Sequence, residues 1–204
     1  MWVEPPFNMI ITGPTNCGKT EYLMSLLTGP YFRKFEYVVF ICPTFLRNKA
    51  YDKKFIYKDD DVIIFEPDMT QIDAILQLVH KEYKGTKTLI VLDDCASSRD
   101  MKRRSDELVK LGFSARHDNL SVWVLTQQYT SVTKPFRENI GMLVLFYTPN
   151  KTDNETIIKE YGMELKKVEI AGLIKSLKEE PYSKLIFRLR HPYNIFRNDF
   201  LYSI

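Results

Sequence analysis

Eight consecutive residues near the amino terminus constrain the fold of this chain more than any other feature. They match the pattern G-x-x-x-x-G-K-[ST], they follow an apolar run at residues 8–12, and they precede a run of helical period. Glycines let such a loop wrap so that backbone N–H groups point at phosphate oxygens, and the following helix adds partial positive charge. The pattern therefore predicts a site for a nucleoside triphosphate. Its residues are Gly13, Pro14, Thr15, Asn16, Cys17, Gly18, Lys19 and Thr20.

Two carboxylates end another apolar run, residues 88–92, about 70 residues after the loop: Asp93 and Asp94. A buried parallel strand has no structural need for adjacent acids, unless one holds a cation and the other meets solvent or substrate. We predict that Thr20 and Asp93 hold Mg²⁺, which keeps several of its waters. Asp94 would orient or deprotonate an attacking water, while Lys19 neutralises the β and γ phosphates. Together these residues indicate a hydrolase.

A third strand candidate, residues 121–126, ends at Gln127. Ligands of open α/β sheets collect at the carboxyl ends of the strands, so we expect the phosphate loop, Asp93 and Gln127 to meet in one crevice. There, the Gln127 amide would hydrogen-bond the γ-phosphate or the attacking water.

Arginines near this strand are candidates for a different task. Arg116 precedes the strand. Residues 99–116 hold six basic and three acidic side chains, and their net charge of +3 equals the formal charge of the whole chain. An arginine supplied by a neighbouring subunit can stabilise the charge that develops on a γ-phosphate. Arg116 is our first candidate for this role, and Arg137 is the second.

The alternation of strand-like and helical runs predicts the fold class α/β, with three layers and a mostly parallel central sheet that has helices on both faces. Two strand candidates are inserted between the phosphate loop and the Asp-Asp strand. With 204 residues, 45% of them hydrophobic, and no Gly- or Ser-rich linker, we expect one domain, residues 1–204. The predicted strands are residues 8–12, 37–42, 62–66, 88–93, 121–126, 142–147 and 184–190.

Helices are expected between these strands. One ends at Gly29, one has Thr70 as its N-cap, one covers residues 99–111, and helical pattern over 155–177 has breaks at Gly162 and Gly172. Residues 47–61, with clustered Lys and Asp, are expected to form a mobile loop. The first residues lack a secretion signal and no apolar run reaches about 20 residues, so we expect no membrane-spanning segment and a chain that is not secreted.

Taken together, the motifs resemble those of the poxvirus-type genome-packaging ATPases, a branch of the double-stranded DNA pumps that include bacterial chromosome-translocating ATPases. The resemblance rests on residues 7–20, 92–94, 115–128 and 136–139, and it covers about residues 7–150. The wider pump group more often has Asp-Glu where this chain has Asp93-Asp94. Asp94 is one methylene shorter than that glutamate.

The resemblance implies an ATP- and Mg²⁺-dependent motor that assembles as a homo-oligomeric ring around double-stranded DNA. The ring drives this DNA into a preformed capsid, whose proteins are further partners. In the resembled family, the residue matching Gln127 senses the nucleotide, and the arginine matching Arg116 acts on the adjacent subunit. The expected location is the host cytoplasm, a viral factory or the virion.

A switch-type GTPase is an alternative, because Asn150, Lys151, Thr152 and Asp153 read as a guanine-selecting Asn-Lys-x-Asp motif. An Asp carboxylate there could accept both guanine N–H donors. However, Asp93 is not followed by the Asp-x-x-Gly pattern of that class. A P-loop nucleotide kinase is a third possibility, although no stretch of the sequence resembles a lid or a pocket for an acceptor base.

Overall fold

The computed structural model describes residues 2–51, 61–68, 70–95, 106–161 and 167–201. Its strands are β1 (Asn8–Thr12), β2 (Tyr37–Ile41), β3 (Val62–Phe65), β4 (Thr88–Leu92), β5 (Leu120–Thr126), β6 (Ile140–Phe146), β7 (Lys184–Arg188), β8 (Asn194–Arg197) and β9 (Phe200–Leu201). Its α-helices are α1 (Lys19–Thr28), α2 (Ile72–Tyr83), α3 (Asp106–Ser114), α4 (Lys134–Arg137), α5 (Lys151–Tyr161) and α6 (Lys167–Ser176).

The strands of the described residues form one sheet in the order β3-β2-β4-β5-β1-β6-β7-β8-β9. From β3 to β6 neighbouring strands are parallel, and from β6 to β9 they are antiparallel. The carboxyl ends of β4, β5 and β1 therefore lie side by side along one edge. The prediction of a mostly parallel α/β sheet is confirmed, and β2 and β3 are the strands inserted in sequence between the phosphate loop and Asp93.

Both faces of the sheet are covered, which explains why its strands read as continuous apolar runs. Alternate residues of β1 enter different cores, because side chains of a strand point to opposite faces. Ile10 packs in a core with residues of α2, α3, α5 and α6, whereas Met9 and Ile11 pack with residues of α1. The helices and the sheet thus form the three predicted layers.

Strands β8 and β9 were not predicted from the sequence. These strands have four and two residues, too few to show a period, and β9 is exposed. Asn198 and Asp199 connect them with positive φ angles of 49° and 70°. Asparagine and aspartate adopt this conformation more readily than other non-glycine residues, and two positive φ angles suit a tight hairpin. The Asn-Asp dipeptide was the available sequence signal.

Several predicted boundaries differ from the structure. The residue at the N-cap of α2 is Gln71, not Thr70, and no side-chain cap bond is formed there. Gly172 lies inside α6 and does not break it, because a single glycine inside a helix costs only about 1 kcal/mol relative to alanine. Residues 47–51 are not a mobile loop, because they belong to short 3-10 turns and Tyr51 is fully buried. Residues 52–60, residues 99–105 and Gly162 lie outside the described residues.

Candidate functional site

A cleft of about 450 Å³ opens at the carboxyl edge of the parallel strands. The ends of β1, β4 and β5 meet there, as the sequence predicts, although they are far apart in the chain. Its lining also includes side chains that the sequence did not suggest, among them Asn48 and Tyr182. The lining residues are Thr15, Asn16, Gly18, Lys19, Thr20, Glu21, Asn48, Ala50, Asp93, Asp94, Gln127 and Tyr182.

The two glycines of the phosphate loop are required for different physical reasons. A Cβ on Gly13 would lie 2.7 Å from the Phe146 Cβ and 2.8 Å from the Cys17 Sγ, so this position requires close approach. Gly18 has φ 95°, which other residues rarely adopt, and it stands at the N-cap of α1. The loop therefore leads the chain from β1 into α1 with the amino terminus of the helix facing the cleft.

Lys19 is held inside the concavity of this loop. Its Nζ donates to the carbonyl oxygens of Gly13, at 2.8 Å, and Pro14, at 2.9 Å. The Cys17 thiol is close by, and burial raises its pKa more than the Lys19 charge lowers it, so this thiol stays protonated at neutral pH. The ammonium is thus already placed where a bound anion would meet it.

The acidic corner of the cleft is built around Asp93, which is 4% exposed. Its Oδ2 accepts hydrogen bonds from the Thr20 hydroxyl, at 3.1 Å, and from the Tyr51 hydroxyl, at 2.5 Å. Burial raises the pKa of Asp93, and the two hydrogen bonds oppose this rise. Tyr51 stacks on Phe45 with 4.3 Å between the ring centroids, which fixes the direction of its hydroxyl group.

Asp94 is exposed to the cleft and has a positive φ of 57°. This turn of the backbone gives two adjacent acids separate environments: Asp93 is buried and Asp94 reaches solvent. The Thr44 hydroxyl donates to the Asp94 Oδ2 at 3.3 Å. Residues 44–51 therefore contact both acids, and sequence reasoning missed them because no motif marks this segment.

The oxygens of Thr20 and Asp93 fit a small, oxygen-preferring cation such as Mg²⁺. The part of the chain that the structure describes holds no group of three or more His, Cys, Asp or Glu side chains suited to a metal ion. Mg²⁺ is commonly bound by one or two carboxylates together with the phosphates of a substrate. The arrangement thus suits an ion that arrives with a phosphorylated ligand rather than one held by the protein alone.

Gln127 is exposed directly after β5, between the phosphate loop and Asp94 along the sheet edge. The following residues are held firmly. The Asp153 carboxylate accepts hydrogen bonds from the backbone N–H groups of Tyr129 and Thr130, both at 3.0 Å, and from the Thr130 hydroxyl at 2.7 Å. This contact anchors the segment that carries Gln127.

The same contact contradicts the guanine-binding interpretation of residues 150–153. Asp153 is 1% exposed, and both of its carboxylate oxygens are occupied by hydrogen bonds within the protein. The Asn150 Oδ1 accepts the backbone N–H of Asp153 at 3.3 Å, as at the start of a helix. Asn150 and Asp153 therefore stabilise the start of α5 and its contact with the 3-10 turn that follows β5.

The structure distinguishes the two candidate arginines. Arg137 is 8% exposed; its Nη2 lies 2.8 Å from the Glu160 Oε1, and its Nη1 donates to the Val132 carbonyl oxygen at 2.9 Å. A side chain with these internal partners is a poor donor to a neighbouring subunit. The prediction of Arg137 as the second candidate for that role is therefore wrong. Arg116 is exposed in the turn between α3 and β5, at the sheet edge opposite the cleft. It therefore does not reach the cleft of its own chain.

Comparison with known proteins shows the family of this chain. A family model described as "Poxvirus A32 protein" matches residues 2–189. The chain belongs to this family. The resemblance seen in the sequence motifs is thereby confirmed, and it extends beyond residue 150 into the antiparallel part of the sheet.

Relatives of this A32-family chain include "DNA packaging protein OPG160" of vaccinia virus (strain Copenhagen) and of variola virus. Each is 22% identical over 184 residues, which cover 86% of this chain and 65% of the relative. The monkeypox virus protein of the same description is also 22% identical, with 59% of its length covered. The chain thus spans less than two thirds of the length of these relatives.

Solved structures show the same fold. The genome packaging NTPase B204 from Sulfolobus turreted icosahedral virus 2, in complex with AMP, has a TM-score of 0.69 at 16% identity. That match covers 98% of this A32-family chain and all of B204. EssC (ATPases 2 and 3) from Geobacillus thermodenitrificans has a TM-score of 0.61 at 12% identity, over 96% of this chain and 39% of EssC.

The described helices include none with the length and apolar character of a membrane span.

Proposed function

We propose that this chain is the ATP-hydrolysing motor of a machine that packages double-stranded DNA into a viral capsid. The observation that carries the proposal is the meeting of the phosphate loop, Asp93, Asp94 and Gln127 in one cleft. The names of the relatives point the same way: the vaccinia virus protein is a DNA packaging protein, and B204 is a genome packaging NTPase solved with ATP-gammaS and AMPPCP.

The residues of the cleft have different roles in the hydrolysis of ATP. Backbone N–H groups of the phosphate loop and the Lys19 ammonium bind the triphosphate. Thr20 and Asp93 would hold Mg²⁺, which would supply positive charge beside the phosphate oxygens. Asp94 orients the attacking water and accepts its proton, because it is the acid that faces the open cleft. Gln127 hydrogen-bonds the γ-phosphate or the water.

Placement of Arg116 opposite the cleft supports a head-to-tail ring in which each subunit presents this arginine to its neighbour. The ring would encircle double-stranded DNA and dock on capsid proteins, in the host cytoplasm or a viral factory. Residues 1–204 form its motor domain, with the motif-bearing core at residues 7–150.

Turnover of ATP and of GTP, each with and without duplex DNA, tests the function. We expect hydrolysis that is stimulated by duplex DNA, because a translocase couples hydrolysis to movement along its track. The stimulation should weaken as salt rises, because binding to the DNA backbone releases counterions. Salt titration with single-stranded DNA is the matched control. A preference for GTP of tenfold or more, or equal rates at every DNA concentration, would contradict the proposal.

Complementation between two inactive variants tests the ring. Arg116→Ala leaves the cleft intact but removes the donated charge, which typically contributes about a thousandfold or more to such reactions. Asp94→Asn removes the acid but keeps Arg116. We expect mixed assemblies to regain activity at interfaces where an Asp94→Asn subunit donates Arg116 to an intact cleft.

A third variant is the control for the mixing experiment. Arg33→Ala changes an exposed arginine that stacks on Phe32, away from the cleft, and it should leave the rate unchanged. Absence of rescue at every mixing ratio, in assemblies shown by mass to contain both variants, would count against a role for Arg116 between subunits.

A further inference from the structure

The cleft has two chemically different ends. Along the sheet edge the order β4-β5-β1-β6-β7 places Asp93, Asp94 and Gln127 on one side of the phosphate loop. Tyr182, which stands just before β7, borders the cleft on the other side. Because β7 runs antiparallel to β6, its start lies at the carboxyl edge of the parallel strands. One end of the cleft is therefore acidic and amidic, and the other is aromatic.

Tyr182 directly adjoins the phosphate loop. A Cβ built on Gly18 would lie 3.1 Å from the Tyr182 Cδ1, so the ring is next to the first turn of α1. Its backbone has φ 62°, a conformation that costs a bulky residue free energy. The neighbouring backbone is held by the Ser183 N–H, which donates to the Glu180 carbonyl oxygen at 3.2 Å.

Apart from its contact with the phosphate loop, this aromatic side chain is mostly uncovered by the described part of the chain, since it is 69% exposed. Among the lining residues that the structure describes, it is also the one aromatic side chain. An aromatic ring that is exposed beside a ligand cleft, in a costly backbone conformation, is available to contact a ligand there.

We propose that Tyr182 is the platform on which the base of the bound nucleotide stacks. The inference rests on the proposed function, because it takes the γ-phosphate to lie at the end with Asp94 and Gln127. A triphosphate in that direction across the phosphate loop places its ribose and base at the Tyr182 end. Every base presents a π-face, so a stacking platform contributes affinity without selecting adenine over guanine.

The test compares a nucleotide with a ligand that has phosphates but no base. We would measure the affinities of AMPPCP and of inorganic tripolyphosphate by calorimetry, for the wild type and for Tyr182→Ala. Stacking of one base on an aromatic side chain predicts a loss of about tenfold to a hundredfold for AMPPCP. The affinity for tripolyphosphate should change by less than about twofold, because the phosphate loop is untouched.

Three further variants sharpen the comparison. Tyr182→Phe keeps the ring and should bind AMPPCP as the wild type does. Tyr193→Ala removes another exposed tyrosine, which does not line the cleft, and should change neither affinity. Tyr182→Asn retains a side chain that tolerates positive φ, so it should show the same selective loss even if Tyr182→Ala were unstable.

Each result has one meaning. An equal loss for both ligands would overturn the stacking role, since Tyr182 would then act on the phosphate loop itself. Unchanged affinity of Tyr182→Ala and Tyr182→Asn for AMPPCP would also overturn it. If the wild type binds tripolyphosphate as tightly as AMPPCP, the base contributes nothing and the inference fails while phosphate binding stands. Binding of neither ligand by the wild type would instead refute the proposed function.

Discussion

Lys19→Ala is expected to weaken binding of ATP by at least about a hundredfold and to abolish its hydrolysis. The Lys19 ammonium donates to the carbonyl oxygens of Gly13 and Pro14, so it already lies inside the concavity of the loop. A hydrogen bond to a charged partner contributes about 1.5–3 kcal/mol, and an ammonium can make more than one to a triphosphate. Loss of about 3 kcal/mol corresponds to the hundredfold change.

The measurement is equilibrium binding of a fluorescent ATP analogue, together with turnover at saturating ATP. Lys34→Ala is the matched control, because Lys34 is an exposed lysine paired with Glu4, and neither residue lines the cleft. Lys19→Arg separates charge from shape: the guanidinium is planar and larger, so we expect it to retain little affinity. Nucleotide binding by Lys19→Ala at the wild-type level would mean that the loop is not the phosphate site.

Asp94→Asn should leave nucleotide binding within about twofold of the wild type and lower hydrolysis by about a hundredfold to ten-thousandfold. The range is the usual contribution of a positioned acid or base to the rate. Asparagine is the informative replacement here, because Asp94 has φ 57° and asparagine tolerates this conformation. The hydrogen bond from the Thr44 hydroxyl can also be kept by the amide oxygen.

Single-turnover hydrolysis with pre-bound ATP is the measurement, since it separates the chemical step from binding. Asp68→Asn is the control, as Asp68 is an exposed acid that does not line the cleft. Asp94→Glu tests whether a longer acid can take the same role. It creates the Asp-Glu pair of the wider pump group, but it puts a longer side chain at a positive φ. Normal hydrolysis by Asp94→Asn would show that another group activates the water.

The sequence was sufficient where chemistry depends on neighbours along the chain. The phosphate loop, its strand and its helix are contiguous, so their order and their glycines follow from local backbone geometry. The parallel sheet was predictable for a related reason, because strands covered on both faces read as uninterrupted apolar runs. Short strands without such runs, β8 and β9, were not predictable from period alone.

Motif matching failed where the same residues have more than one possible use. Asp153 fits a guanine-binding pattern by sequence, yet its carboxylate is occupied by the Tyr129 and Thr130 backbone. Arg137 fits the description of a finger, yet it is paired with Glu160 inside its own chain. In both cases the partner lies 23 or 24 residues away, and the contact forms only because α5 packs beside the 3-10 turn that follows β5 and beside α4.

The sequence by itself predicted a phosphate site at one loop, and it showed that two acids and an amide follow neighbouring strands. Only the tertiary structure decided which side chains complete the site. Tyr51 reaches Asp93 across 42 positions, and Tyr182 adjoins Gly18 from just before β7. Such contacts depend on the order of strands in the sheet, because strand order, and not distance along the chain, sets which segments meet at its edge.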